Sequence, residues 1–250
     1  MQPPVFVLSV GIVPITWPQL LDQIDIWVSR SDQHTVTYAN AHVLNTSMKD
    51  PALSNFLNTA DICYCDGNGV RLGAFLLGHT IPQRMTGADW IYKLAQAACG
   101  RWRIYWIGGK DSVTAQAAVN LQQQFGDLEI ATDHGFHPKT SADNDACIRR
   151  INDFCPHIVL VGMGTPTQEH WVSEVRSKIN APVVWCVGAT ADYVAGQKSR
   201  PGPQWLIDRH EWISRLIDDP IRLWRRYLIG NPLFLARVLR SRQTSKRPEK

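Results

Sequence analysis

Six short apolar runs punctuate this chain, and stretches of helical period fill the five intervals between them. The runs are His34–Tyr38, Asp61–Cys65, Arg103–Ile107, Leu128–Thr132, His157–Val161 and Pro182–Val187. Helical pattern lies near Ala41–Ser47, Pro51–Asn58, Gly87–Cys99, Ser112–Phe125, Ala142–Phe154 and Thr167–Asn180. In Ser112–Phe125 the apolar residues Val113, Ala117, Ala118, Leu121 and Phe125 form a stripe of 3.6-residue period. Two parallel strands cannot be joined by a tight turn, so they need a crossover, commonly a helix. Strands alternating with helices therefore predict an α/β fold: a Rossmann-like parallel sheet with flanking helices. At 250 residues the chain can bury the core of one large α/β domain or of two small ones.

The predicted strands end in short turns: Asp66-Gly67-Asn68-Gly69, Gly108-Gly109-Lys110, Gly162-Met163-Gly164 and Gly188-Ala189-Thr190. Open α/β sheets bind ligands beyond the carboxyl ends of their strands, so the site is expected there. Asp66 is placed to act as a general base on a hydroxyl, or to cap the following helix through Asn68 or Gly69. In Gly162–Glu169 a GxG turn opens a helix, an arrangement whose free amides favour phosphate. As a dinucleotide fingerprint it lacks the third glycine, where Thr167 stands, and no acidic residue ends the next strand at Val187. A nucleoside-diphosphate or sugar ligand is preferred over NAD; an ordinary strand-to-helix turn is the other reading. Arg84 has the same duality, as a surface ion pair or as a guanidinium clamp on phosphate or carboxylate.

Other chemistries have no motif. Neither GxxxxGK[ST] nor GxSxG is present. Asp143-Asn144-Asp145 has the form of a metal-chelating D-x-D but falls where a helix should start, so capping is its expected role. Asp133-His134-Gly135-Phe136-His137 lacks further ligands at familiar spacing and reads as a loop on the sheet's rim. No metal and no cofactor is expected. The six cysteines show no C-x-x-C spacing and sit largely among apolar residues, as reduced thiols do. No run of 18 apolar residues predicts a membrane-spanning helix, and Met1–Pro18 lacks the basic start of a secretory signal, its apolar run broken at Pro14 and Pro18. A cytoplasmic protein is expected.

The C-terminal fifth differs in character. Residues 200–250 hold 12 Lys or Arg against 5 Asp or Glu, whereas the rest holds 14 against 17. Trp205, Trp212, Trp224, Tyr227 and Phe234 lie among those arginines. Arginine beside large apolar residues at helical spacing suits a surface that meets anionic groups next to lipid. The pattern predicts a helix over Trp205–Ile217, a cap at Asp218-Asp219-Pro220, and a second helix over Ile221–Ile229 ended by Asn231-Pro232. Leu233–Arg240 reads as a further short helix and Ser241–Lys250 as frayed. Arg222, Arg225 and Arg226, at i, i+3 and i+4, share one expected face. The expected division is an α/β domain over 1–198, a helical appendage over 199–240 and a disordered tail over 241–250.

In order along the chain these pieces resemble the WecG/TagA/CpsF family of bacterial glycosyltransferases. The resemblance runs from about Thr37 to Phe234. It is carried by Asn40-Ala41-His42, Asp66-Gly67-Asn68-Gly69-Val70, Arg84–Asp89, Ile107-Gly108-Gly109, Gly162–Glu169, Gly188–Asp192 with Gly196 and Arg200, Glu211-Trp212, and Arg215-Leu216 with Pro220, Arg222 and Arg225-Arg226-Tyr227. It implies an inverting, metal-independent transfer of a sugar, such as N-acetylmannosamine or its uronic acid, from a UDP donor to a polyprenyl-diphosphate-linked sugar. The reaction would take place on the cytoplasmic face of the membrane, in surface-polysaccharide synthesis. By position, Asp66 would be the base. Asn40, Arg84, Gly164, Gln168 and Asp192 would serve the donor and acceptor pocket. Arg215, Arg222 and Arg225 would stabilise the leaving diphosphate once the tail folds over the site. The partners implied are a UDP-sugar, a lipid-linked acceptor and an anionic membrane surface, not nucleic acid.

The chain departs from the family at Tyr38, where members often carry Thr two residues before the Asn; here Thr37 lies one place further back. Ala191 replaces an aromatic residue, Arg200-Pro201-Gly202-Pro203 replaces Arg-Ala-Pro, and His210 replaces Leu. The competing reading is a non-catalytic nucleotide-binding module whose basic tail binds nucleic acid, warranted by the interleaving of Arg and Trp.

Overall fold

The structure, a computed structural model, describes residues 2–109, 112–135, 142–199, 212–213 and 215–245. Its centre is a six-stranded parallel sheet of β3 (His34–Ala39), β4 (Ile62–Cys65), β5 (Ile104–Gly108), β6 (Ile130–Asp133), β7 (Ile158–Gly162) and β8 (Val183–Cys186), in the order β4-β3-β8-β7-β5-β6. All five neighbouring pairs are parallel. The expected Rossmann-like α/β fold is the observed one, and the six expected strands fall within one or two residues of these bounds.

Helices cover both faces. On one face lie α2 (Ala41–Ser47), α3 (Pro51–Thr59), α4 (Asn68–Leu76), α7 (Ala142–Phe154) and α8 (Thr167–Val175). They bury Leu44, Leu53, Leu57, Val70, Ile151 and Trp171 against alternate strand residues such as Cys63, Val159 and Cys186. On the other lie α1 (Trp17–Arg30), α5 (Gly87–Ala98), α6 (Val113–Gln124) and α9 (Thr190–Val194). There Trp90 stacks on Trp185 at 4.2 Å and on Trp17 at 6.0 Å. These three rings tie α1, α5 and β8 into one packed layer.

Two N-terminal elements depart from the expectation. A hairpin pairs β1 (Val5–Val7) with β2 (Val10–Ile12) through Leu8 and Ser9, whose φ values of 50° and 68° form the left-handed two-residue turn that matches strand twist. Neither turn residue is Gly or Asn, so the usual signal is missing. Pro18 is not a break but sits in the first turn of α1, where a missing N–H costs nothing.

The C-terminal segment also departs from it. Asn231-Pro232 does not end a helix. Pro220–Trp224 is α-helical, Arg225–Ile229 forms a π-helical turn, and Gly230–Ser245 continues as α-helix without interruption. The Gly230 N–H donates to the Arg225 carbonyl, five residues back. This wider turn relieves the crowding that Pro232 would impose on the carbonyl before it. Helix therefore extends to Ser245, through much of the stretch expected to fray. Of the helix expected over Trp205–Ile217, residues 212–213 and 215–218 are helical; 205–211 and 214 lie outside the described residues, as do Phe136 and His137 of the rim loop.

This helix belongs to the core. Phe234 and Val238, one turn apart, are buried against α4. A methyl group on Gly73 would stand 2.8 Å from Cζ of Phe234, so the contact depends on the bare glycine. Asn45 of α2 donates to the Gly230 carbonyl at 2.7 Å and accepts from Arg237 at 2.7 Å.

Candidate active site

The site grows out of the β3–β4 pair. Strand side chains alternate between faces, so Tyr38 and Tyr64, directly paired, lie on one face while Thr37 and Cys63 lie on the other. The ladder runs one bond past the strands, with the Asp66 N–H donating to the Ala39 carbonyl at 2.8 Å. Asn40 and Asp66 are thereby brought side by side at the carboxyl edge. Asn40 caps α2: its Oδ1 accepts from the amides of His42 at 3.1 Å and Val43 at 3.0 Å. That commitment aims its Nδ2 outward, and it donates to Asp66 Oδ2 at 3.1 Å. Gly67 follows with φ of 109°, a conformation that favours glycine, and turns the chain into α4.

Arg84 arrives from the loop before α5. The Met85 N–H donates to the Cys65 carbonyl at 2.9 Å, which lays this loop against the end of β4. The Arg84 side chain is 10% exposed and pairs with Asp89, in the first turn of α5, at 3.1 Å. Above these groups lies the C-terminal segment. Trp212, Arg215, Arg226, Tyr227, Leu228, Pro232, Phe234 and Leu235 face Asn40, His42, Asp66, Leu72 and Arg84 across a cavity of about 510 Å³. Arg215 stands 5.3 Å over the Tyr193 ring, and Trp212 leans on Tyr227 at 6.1 Å.

The lining combines polar and charged side chains, Asn40, His42, Asp66, Arg84, Arg215 and Arg226, with the apolar Leu72, Leu228, Pro232, Phe234 and Leu235. Leu72 and Leu228 are also exposed to solvent, close in sequence to Phe75 at 71% and Ile221 at 89% exposure, so the cavity opens onto an apolar outer surface. His42 titrates near pH 4, lowered by burial first and by Arg226 second, so at neutral pH its imidazole carries no charge. The cations of the wall are arginines. Asp66, Arg215 and Arg226 also border a smaller chamber of about 70 Å³, with Tyr38, Tyr64, Thr86, Val187 and Thr190.

Of the residues singled out in the sequence, Asn40, Asp66, Arg84 and Arg215 meet around one space. Gly164, Gln168, Asp192, Arg222 and Arg225 do not line either cavity. Gln168 is fully buried behind the smaller chamber. Asp192 pairs with Lys198, Arg222 pairs with Asp219 at 2.6 Å, and Arg225 lies 5.2 Å over the Trp224 ring. Arg226 is the helix arginine that reaches both cavities; helical spacing placed it on one face with Arg222 and Arg225 and did not separate it from them. Arg222 is instead held by Asp219, the residue that caps its helix, a pairing that a 3.6-residue count does not encode. Asp143 and Asp145 sit in the first turn of α7, and Asp133 pairs with Arg150. Among the described residues no three His, Cys, Asp or Glu side chains cluster so as to hold a metal ion, and no helix is long and apolar enough to cross a membrane.

A profile described as "Glycosyl transferase WecG/TagA/CpsF family" matches residues 5–248. Similar proteins include the N-acetylglucosaminyldiphosphoundecaprenol N-acetyl-beta-D-mannosaminyltransferases of Staphylococcus aureus strains NCTC 8325 / PS 47, COL and MRSA252. Each is 24% identical over 244 residues, covering 96% of this chain and 94% of the relative.

Proposed function

The chain belongs to the WecG/TagA/CpsF family of glycosyl transferases, and from that premise we propose that it moves a sugar from a UDP donor to a polyprenyl-diphosphate-linked sugar, with inversion and with Asp66 as base. The observation that carries this reading is the composition of the cavity around Asp66: a carboxylate and arginines together with apolar side chains, of which Leu72 and Leu228 reach the surface. An acceptor that is a sugar on a lipid diphosphate has the same two characters.

In the proposed reaction the acceptor hydroxyl attacks the anomeric carbon as its proton passes to Asp66. The bond from that carbon to the diphosphate breaks on the opposite face, and UDP leaves carrying the electron pair. Asn40 holds the Asp66 carboxylate in place through Nδ2, which donates to Asp66 Oδ2. Negative charge grows on the leaving diphosphate, and Arg84, Arg215 and Arg226 are the groups in the wall able to meet it, without a metal ion. Arg222 and Arg225, turned outward beside Ile221 and Trp224, suit the anionic headgroups of a membrane instead. In this reading the segment from residue 199 onward is an appendage with two tasks. It roofs the site and rests the protein on the inner face of the cell membrane.

The reading is tested by incubating the protein with a panel of UDP-sugars and a short-chain prenyl-diphosphate-linked N-acetylglucosamine, following UDP release. Release that requires the acceptor is expected with one or a few donors. Release from none of them, or only hydrolysis that ignores the acceptor, contradicts it. The membrane part is tested separately by sedimentation with vesicles of anionic and of neutral phospholipid. Binding to anionic vesicles that weakens with salt is expected. Binding to single-stranded RNA without binding to vesicles would turn the tail to nucleic acid.

A further inference from the structure

Tyr38 takes no part in the steps above, yet it forms a wall of the smaller chamber, beside Asp66 and Asn40. The chamber joins the main cavity through Asn40, Asp66, Arg215 and Arg226, which border both. Its volume of about 70 Å³ has room for on the order of five heavy atoms, taking ~10–15 Å³ for each. That is too little for a sugar ring and enough for one substituent on a ring. The lining combines Tyr38, Tyr64, Thr86 and Thr190 with the apolar Val187 and Ala88, a mixture that suits a short acylamino group.

The position of Tyr38 is held from three sides. Its ring leans on that of Tyr64, its partner in the β3–β4 register, at 6.3 Å. Its hydroxyl lies where a side chain on residue 188 would begin: a methyl group on Gly188 would stand 2.6 Å from the phenol oxygen. Behind it, Gln168 is wholly buried, with Oε1 accepting from the Gly188 N–H at 3.0 Å and Nε2 donating to Glu169 Oε1 at 2.7 Å. The second hydrogen of Nε2 faces the Tyr38 hydroxyl at 3.5 Å. Both ends of the Gln168 amide are thus fixed, and with them the depth to which the phenol reaches. Burial, then the carboxylates of Glu169 and Asp66, push the Tyr38 phenol up, so it remains a neutral donor.

We propose that Tyr38 is a specificity-determining residue: its phenol closes the chamber and so limits the size of the substituent that the transferred sugar can carry, with Gln168 as the positioning residue behind it. The inference rests on the glycosyl-transfer reading above.

The experiment compares kcat/KM for a UDP-N-acetylhexosamine and its N-butanoyl analogue in the wild type and in Tyr38→Phe, Tyr38→Ala and Gln168→Leu, each checked for folding by thermal unfolding. The butanoyl group carries two methylenes more than acetyl, and each in a closed pocket is worth roughly 10–200-fold in discrimination. The wild type should favour the acetyl donor at least about tenfold. Tyr38→Ala should bring the two donors to within about threefold of each other, and Tyr38→Phe and Gln168→Leu should fall between. A merely structural role would lower both donors by the same factor and leave the ratio unmoved. That result, or a wild type indifferent to the larger acyl group, overturns the assignment while leaving glycosyl transfer standing. A wild type that transfers from no UDP-sugar at all overturns the underlying reading, and the inference with it. Tyr38→Phe keeps nearly the whole ring volume, so the ratio can be read even if Tyr38→Ala does not fold.

Discussion

Asn40 donates a hydrogen bond to Asp66 across 3.1 Å while its carbonyl oxygen caps the helix that follows it. One side chain thus starts α2 and aims the proposed base, so the geometry of Asp66 is inherited from the packing of the sheet.

Asn40→Asp should separate the two tasks. Aspartate caps a helix as well as asparagine, so the cap itself is kept, and the stability lost at neutral pH should be only that of the carboxylate repulsion, about 1–2 kcal/mol. It would also set a second carboxylate against Asp66, and two carboxylates at that distance resist ionising together. The acidic limb of the pH–rate profile should move to higher pH by about one unit or more. Asn40→Ser, which caps but lacks the N–H, should lower kcat without that displacement.

Arg226 and Arg222 lie one helical turn apart and face different surroundings, the cavity for the first and Asp219 for the second. Arg226→Gln should lower kcat by about 100- to 1,000-fold, the usual cost of removing one preorganised donor to developing charge. Arg222→Gln should change kcat by less than about threefold in a detergent assay, since an exposed pair contributes little. Equal losses in the two variants would mean that the two arginines do not differ in the way described.

His42 provides a readout independent of turnover. Its folded value near 4 lies below the ordinary 6.5, so as pH falls the unfolded chain takes up the proton first. The contribution to stability is complete above about pH 6.5 and is lost progressively towards pH 4, on the order of 1–3 kcal/mol. Urea unfolding across that range should show a steeper fall for the wild type than for His42→Asn. In Arg226→Gln the His42 titration, followed by NMR, should move up, because the second cause of its depression has been removed.

Phe234 is the residue that seats the C-terminal helix on α4. Phe234→Ala should cost about 3–5 kcal/mol of docking, and Gly73→Ala, which pushes a methyl into the same contact, about 1–3 kcal/mol. Hydrogen exchange should rise first over residues 220–245 and not in the central sheet. Turnover should fall in parallel, since Arg226 and apolar residues of the lining leave with the helix.

The sheet was legible because parallel strands buried on both faces, such as Ile158–Gly162, read as continuous apolar runs between turns. Asp66 and Asn40 were legible because each follows such a run directly, where chain direction alone places the side chain. The hairpin at Leu8-Ser9 was hidden, since its left-handed turn uses residues that carry no turn signal. The C-terminal helix was misread at Pro232 for a related reason: a π turn allows a proline that the α-helical period forbids. Arg226 did not stand out against Arg222 and Arg225 because the partners that hold those two, Asp219 and the Trp224 ring, are not fixed by helical spacing. The family resemblance names Gln168 for the pocket, yet it lines neither cavity, and its burial behind Tyr38 depends on β8 lying between β3 and β7, an order in space that no local pattern encodes.

The central claim is that Asp66 takes the proton from the acceptor hydroxyl. Its most direct test is single-turnover transfer by Asp66→Ala and Asp66→Asn on a donor that the wild type uses, with UDP binding measured by calorimetry. Both variants should bind UDP within about threefold of the wild type and transfer at least about 100-fold more slowly, the lower end of what a positioned base supplies. Transfer at the wild-type rate with folding intact would contradict the account.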